Sequence, residues 1–248
     1  MTRYFIRFAY NGENYHGWQL QPNAISVQEV LNRSISIISR EEISVVAAGR
    51  TDAGVHAKEM YGHIDFDQFI PQDNFIFKLN SFLPKDISVY EIKPVKQDAH
   101  ARFDAISRRY EYWISSRKDP FMVGKAWMFY KDLDVQKMNK GASILLGRHD
   151  FESFSKTHSD VNNFFCTIEE ARWVAKDNHL VFYISANRFL RNMVRAIVGT
   201  LVDVGLGKMT LEELKLAIEA KDRSKTGTSA PGDALYLCEV NYPESIFL

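Results

Sequence analysis

Cysteine is nearly absent from the sequence. It has 2, Cys166 and Cys238, in 248 residues. Two distant cysteines cannot build a disulfide framework, and neither lies in a Cys-x-x-Cys pair. Two apolar thiols in a reducing compartment are therefore expected. Glycine (13) and proline (7) are scarce, which excludes long linkers and low-complexity disorder. No apolar run of membrane-spanning length is free of charge. The most apolar stretch, 189–206, contains Arg191, Arg195 and Asp203, a poor span. Arg7 interrupts the N-terminus too early for a secretory signal. A cytoplasmic protein without a membrane partner is expected. Excess charge is missing as well: 31 Lys plus Arg against 31 Asp plus Glu leave a net charge of +0. That balance removes basic tails, acidic tails and histone-like binding.

What is present is patterned. Residues 3–10 alternate, with Tyr4, Ile6, Phe8 and Tyr10 on one face, as in a half-buried strand. Ser26 and Glu29 read as a capping box before a helix with Val27, Val30, Leu31, Ile35 and Ile38 inward. Strands over 43–48, 60–66 and 87–92 and a helix over 75–82 give the first half a β-α-β-β-α-β texture. The second half repeats it: a strand over 108–115, a helix capped by Asp134 and closed by Gly147, paired strands over 172–174 and 181–186, and a helix over 189–204. A helix opened by Thr210 and Glu213 and a strand over 235–242 complete it. The pattern predicts an α+β fold, with two related halves of ferredoxin-like texture, 1–105 and 106–248, and a large, mainly antiparallel sheet.

Three clusters could carry chemistry. Gly49-Arg50-Thr51-Asp52-Ala53-Gly54-Val55-His56-Ala57 places a charged core between two glycines. This is either a tight turn with a solvated ion pair or a loop that holds an ionised carboxylate near a ligand. Arg188, Arg191 and Arg195, spaced by three and four, would share one face of the 189–204 helix. That face is either solvated or binds phosphate. Arg102, Arg108 and Arg109 interleave with Tyr110, Tyr112 and Trp113, a strand core or a platform that stacks an unpaired base. A metal site at His56, His63 and Asp65 has no ligand-motif support. A serine-hydrolase set of Ser155, His158 and Asp160 lacks a nucleophile elbow.

The loop 49–57 resembles the catalytic motif of the tRNA pseudouridine synthase A family. The similarity continues in order along the chain. It includes Tyr15-His16-Gly17-Trp18-Gln19-Leu20-Gln21, Ser26-Val27-Gln28, Ala101-Arg102-Phe103-Asp104-Ala105 and Arg108-Arg109-Tyr110-Glu111-Tyr112. It continues through Gly147-Arg148-His149-Asp150-Phe151, Ser153-Phe154, 189–195 with Gly199, and Ala230-Pro231. The resemblance implies an isomerase that converts uridine to pseudouridine at positions 38 to 40 of the tRNA anticodon arm, without metal or cofactor. It implies a homodimer and a pseudouridine synthase fold whose two halves meet at a central RNA-binding cleft. The first half would carry the aspartate loop, and the second the tyrosine strand and the arginine helix. Asp52 would be the essential aspartate, Tyr110 the stacking ring, Arg195 the partner of the aspartate, and Arg50 a holder of the flipped nucleotide. Arg108, Arg109, Arg188, Arg191 and His56 would contact RNA. A noncatalytic RNA-binding module on the same fold is the alternative. The sequence departs from the family pattern at Met60, Cys166 and Ala234, positions where fine substrate contacts could differ. The zero balance also hides a distribution, with residues 102–131 at +4, 188–208 at +3 and 59–73 at −4. Overall neutrality therefore does not exclude a local phosphate-binding patch.

Overall fold

The computed structural model describes residues 1–67, 72–156 and 162–248. The chain forms two compact units, 1–106 with 237–248, and 107–236. The last twelve residues thus return to the first unit, whereas the sequence pattern groups all of 106–248 together.

The first unit contains β1 (Thr2–Tyr10), α1 (Val27–Ser39), β2 (Val46–Ala47), β3 (His56–Phe66), α2 (Gln72–Phe82) and β4 (Ile87–Pro94). β1 is central, with β4 on one side and β3 on the other, both antiparallel. Its alternation becomes register: Tyr4 faces Ile64, Ile6 faces Gly62 and Phe8 faces Met60. Tyr4, Ile6, Phe8 and Tyr10 are buried, and so is Phe5 on the opposite face. Phe5 packs with Val95, Ala99, Ala101 and Ile246, which explains why the C-terminal residues belong here. In α1 the Ser26 hydroxyl accepts the Glu29 N–H at 3.2 Å, so half of the expected capping box forms. The 43–48 strand shortens to β2.

The second unit contains β5 (Ser107–Ser115), β6 (Trp127–Met128), α3 (Val135–Ile144), β7 (Gly147–Asp150), β8 (Phe165–Lys176), β9 (His179–Ala186), α4 (Met193–Gly205) and α5 (Leu211–Glu219). β5, β9, β8 and β7 lie side by side, all antiparallel, and the short β6 joins β5 in parallel. β8 and β9 form a hairpin closed by Asp177 and Asn178, with Lys176 opposite His179. Asp177 takes a φ of 51°, as a two-residue hairpin turn requires. Asp134 caps α3 through its Oδ1, which accepts the Lys137 N–H. Gly147 lies beyond the Leu145 cap and opens β7 instead of closing the helix. The Thr210–Glu213 capping box forms in both directions. β10 (Leu235–Asn241) runs beside β3, and its residues from Leu237 onward belong to the first unit.

α4 departs from expectation. It begins at Met193, not Phe189, because Asn192 takes a left-handed φ of 67° and breaks the helical path. Its residues are buried nearly all round, with Arg195 among the few that are partly exposed. α4 is the core helix of the unit.

Candidate active site

Two constellations hold most of the residues singled out by sequence, one in each unit. In the first unit, loop 48–55 links β2 to β3. Its neighbour is the loop that follows β1. The Trp18 N–H donates to the Thr51 carbonyl, the Gly54 N–H donates to the Tyr15 carbonyl, and the Val55 N–H returns to the Asp52 carbonyl. Tyr10 and Thr51 share a hydroxyl hydrogen bond of 2.8 Å. The Gly12 N–H donates to His56 Nδ1 at 3.0 Å. Tyr15 is anchored by its hydroxyl donating to Asp86 at 2.7 Å, and Trp18 stacks on Phe8 with ring centres 5.4 Å apart. Gly17 is required by both conformation and space. Its φ is 92°, and a Cβ there would lie 2.4 Å from the Thr51 carbonyl oxygen.

The result is a loop pinned at Thr51, Val55 and His56, all buried, with Asp52 partly exposed at its bend. Arg50, which opens the loop, is exposed. His56 is 3% exposed, and its Nδ1, which accepts the Gly12 N–H, braces the loop.

In the second unit, Tyr110 stands on β5 opposite Ile184 of β9. Its ring meets that of Phe189 edge-on, 5.1 Å between centres. This contact fixes the ring plane and leaves Tyr110 partly exposed. Arg108 shares the Tyr110 face and donates to the Asn187 carbonyl at 2.8 Å. Arg109 points to the opposite face by strand alternation and is partly buried. The three arginines expected on one helical face do not share one. Arg188 and Arg191 precede the break at Asn192, and only Arg195 is on α4.

Arg195 is held by a reciprocal pair. Its Nε donates to the Ala230 carbonyl at 2.7 Å, and the Ala230 N–H donates to its carbonyl at 3.0 Å. The segment that supplies Ala230, 223–231, is not marked by any sequence motif apart from Ala230-Pro231. It lies so close to α4 that a Cβ at Gly199 would sit 1.8 Å from the Thr228 carbonyl oxygen. Its remaining sequence signal is a run of small, turn-forming residues between Thr226 and Pro231.

Met60, Cys166 and Ala234 are all buried, so those departures sit in packing positions. Burial pushes the Cys166 thiol up to about 11, with the Arg188 charge acting against it. Among the described residues, no three His, Cys, Asp or Glu side chains group to hold a metal. His63 instead accepts the Ala101 N–H. Ser155 is buried, and His158 and Asp160 lie outside the described residues. Among the described residues, no helix is long and apolar enough to cross a membrane.

A family model described as tRNA pseudouridine synthase matches residues 6–104 and 142–243. The chain belongs to the tRNA pseudouridine synthase family. It is 52% identical over 250 residues to the tRNA pseudouridine synthase A of Bacteroides thetaiotaomicron, covering 100% of this chain and 93% of that one. It is 52% identical over 252 residues to that of Porphyromonas gingivalis, covering all of both chains. It is 40% identical over 244 residues to that of a Thermoanaerobacter species, covering 98% and 100%. As a member of the pseudouridine synthase family the chain is an isomerase, and the family's reaction converts uridine to pseudouridine in tRNA. Both matched segments reach the structure's two constellations: loop 48–55 falls in the first, α4 and segment 223–231 in the second.

Proposed function

We propose that this synthase acts on uridines at positions 38 to 40 of the tRNA anticodon arm, with Asp52 as its catalytic carboxylate. The observation that carries this reading is the aspartate loop itself. A carboxylate that must meet a reacting atom needs fixed geometry and access. Asp52 is partly exposed while its neighbours Thr51 and Gly54 are pinned from the β1 side.

The reaction is redox-neutral. The N1–C1′ bond breaks, the base turns, and a C5–C1′ bond forms. C5 loses its proton and N1 gains one. Nothing is oxidised or added, so the chemistry requires neither metal nor cofactor. The target must leave its stack, which costs a few kcal/mol. Tyr110 offers a ring face that offsets part of this cost. Arg195 and Arg50 hold the flipped nucleotide. Arg108, Arg188 and Arg191 supply phosphate contacts. The working form is a cytoplasmic homodimer.

The test is tritium release from tRNA carrying 5-³H-uridine, followed by mapping of the new pseudouridines. The expected products lie at positions 38 to 40. Asp52→Asn should lower the rate by at least about 10³-fold, about 4 kcal/mol of barrier, while tRNA is still retained on a filter. Full turnover by Asp52→Asn overturns the assignment.

A further inference from the structure

Arg195 sits three residues beyond a helix break and points its guanidinium at a loop carbonyl. A side chain so placed is only as well positioned as the break and the loop. One residue fixes both. Arg223 Nη1 donates to Thr226 Oγ1 at 2.6 Å and to the Gly227 carbonyl at 2.9 Å. Its Nη2 donates to Ser229 Oγ at 2.8 Å. Ser229 Oγ in turn accepts Asn192 Nδ2 at 2.7 Å, and Asn192 is the left-handed residue that starts α4. The Gly227 N–H donates to Thr200 Oγ1, one helical turn beyond Ala196. Ala230, next to Ser229, closes on Arg195 in both directions. A planar fork with donors in fixed directions can span these acceptors, and a point charge cannot. Every one of these acceptors is uncharged, so Arg223 serves here as a geometric tie and not as half of an ion pair.

We propose that Arg223 is a positioning residue for the isomerisation, acting through Arg195. It sets both the start of α4 and the Ala230 carbonyl that aims the Arg195 guanidinium. The proposal rests on Arg195 serving substrate in the reaction.

A double-mutant cycle tests it. Pseudouridine formation is measured by tritium release in single turnover, with enzyme in excess of tRNA, and tRNA binding is measured separately by filter retention. Arg223→Ala should slow the saturated rate by about 10- to 100-fold, the scale of a misplacement of about 1 Å. The Kd for tRNA should stay within about 3-fold. In an Arg195→Ala background the same substitution should change the rate by less than about 3-fold, because residues acting as a unit are not additive. Arg223→Lys keeps the charge but not the fork and should stay below half the normal rate. Multiplying effects in the double variant overturn the proposal, as does a loss confined to Kd, which would make Arg223 a phosphate contact. Full activity in Arg195→Ala overturns the underlying reading and the proposal with it. A slow Arg195→Ala with an independent Arg223 effect overturns the proposal alone. If Arg223→Ala does not melt cooperatively, Ser229→Ala removes the shared acceptor instead. It should slow the reaction several-fold in the normal background and not in Arg195→Ala, and full speed in this variant again overturns the proposal.

Discussion

His63 shows how one buried side chain ties stability to pH. Its Nδ1 accepts the Ala101 N–H at 3.1 Å, so in the folded protein the ring must be neutral with its proton on Nε2. Burial, and then the nearby positive charges of Arg3 and His100, push it down from 6.5 to about 4, while Asp65 and Asp104 act weakly in the other direction. The sign follows from linkage. Between these values the unfolded chain binds the proton and the folded chain does not, so stability is intact above about pH 6.5 and falls as pH drops toward 4. The loss is of order 2–3 kcal/mol. Urea midpoints at pH 7.5, 6 and 5 should fall in that order, and His63→Gln should flatten the trend. Asp65, held low by the Arg3 hydrogen bond, loses its contribution only at more acid pH. An unchanged slope in His63→Gln would assign the trend to other groups.

Elements show where sequence reading succeeds and where it stops. The Asp52 loop is legible because glycines, opposite charges and an N-terminal strand crowd into a few residues. Its bracing is legible only in part: Tyr15, Gly17 and Trp18 stand out as a block, but their bonds to Thr51 and Gly54 are backbone bonds that no side-chain pattern announces. The helix after β9 starts later than its pattern suggests. The spacing of Leu190, Val194, Ile197 and Leu201 runs unbroken through Asn192, and periodicity cannot see a single residue turned left-handed. Arg223 is illegible for a related reason. Its acceptors are neutral oxygens of Thr, Gly and Ser, ordinary turn residues until the loop closes on α4. The bracing of the aspartate loop yields its own prediction. Gly17→Ala places a Cβ 2.4 Å from the Thr51 carbonyl oxygen and forces a left-handed alanine. That strain is of order 1–3 kcal/mol, and it bears on the loop that carries Asp52. Thermal melting should fall by several degrees, and kcat should fall by more than the affinity for tRNA. A variant that melts lower yet keeps its kcat would mean that Asp52 does not depend on this brace.

At the scale of the whole molecule, the zero net charge resolves into two opposed halves. The first unit holds 11 basic and 15 acidic residues, a net −4, and the second holds 20 and 16, a net +4. The second is also the unit of Tyr110, Arg108, Arg188 and Arg191, which are proposed to meet the substrate, whereas Asp52 belongs to the acidic one. Affinity for a polyanion depends on the phosphates neutralised locally, not on the sum over the chain. Binding should therefore be salt-sensitive although the protein is neutral, while long-range attraction should be weak, since opposed charges cancel beyond a Debye length of about 8–10 Å. Two measurements follow from this. A plot of log Kd for tRNA against log salt should be linear and steep, and Arg188→Gln or Arg191→Gln should each flatten it by about 0.7–0.9 for every phosphate no longer neutralised. Arg33→Gln, at an exposed arginine of the acidic unit, should leave the slope unchanged. A slope near zero, or one moved equally by Arg33 and Arg191, would show that the basic unit does not concentrate the phosphate-binding charge. The +4 would then be a property of composition with no bearing on recognition.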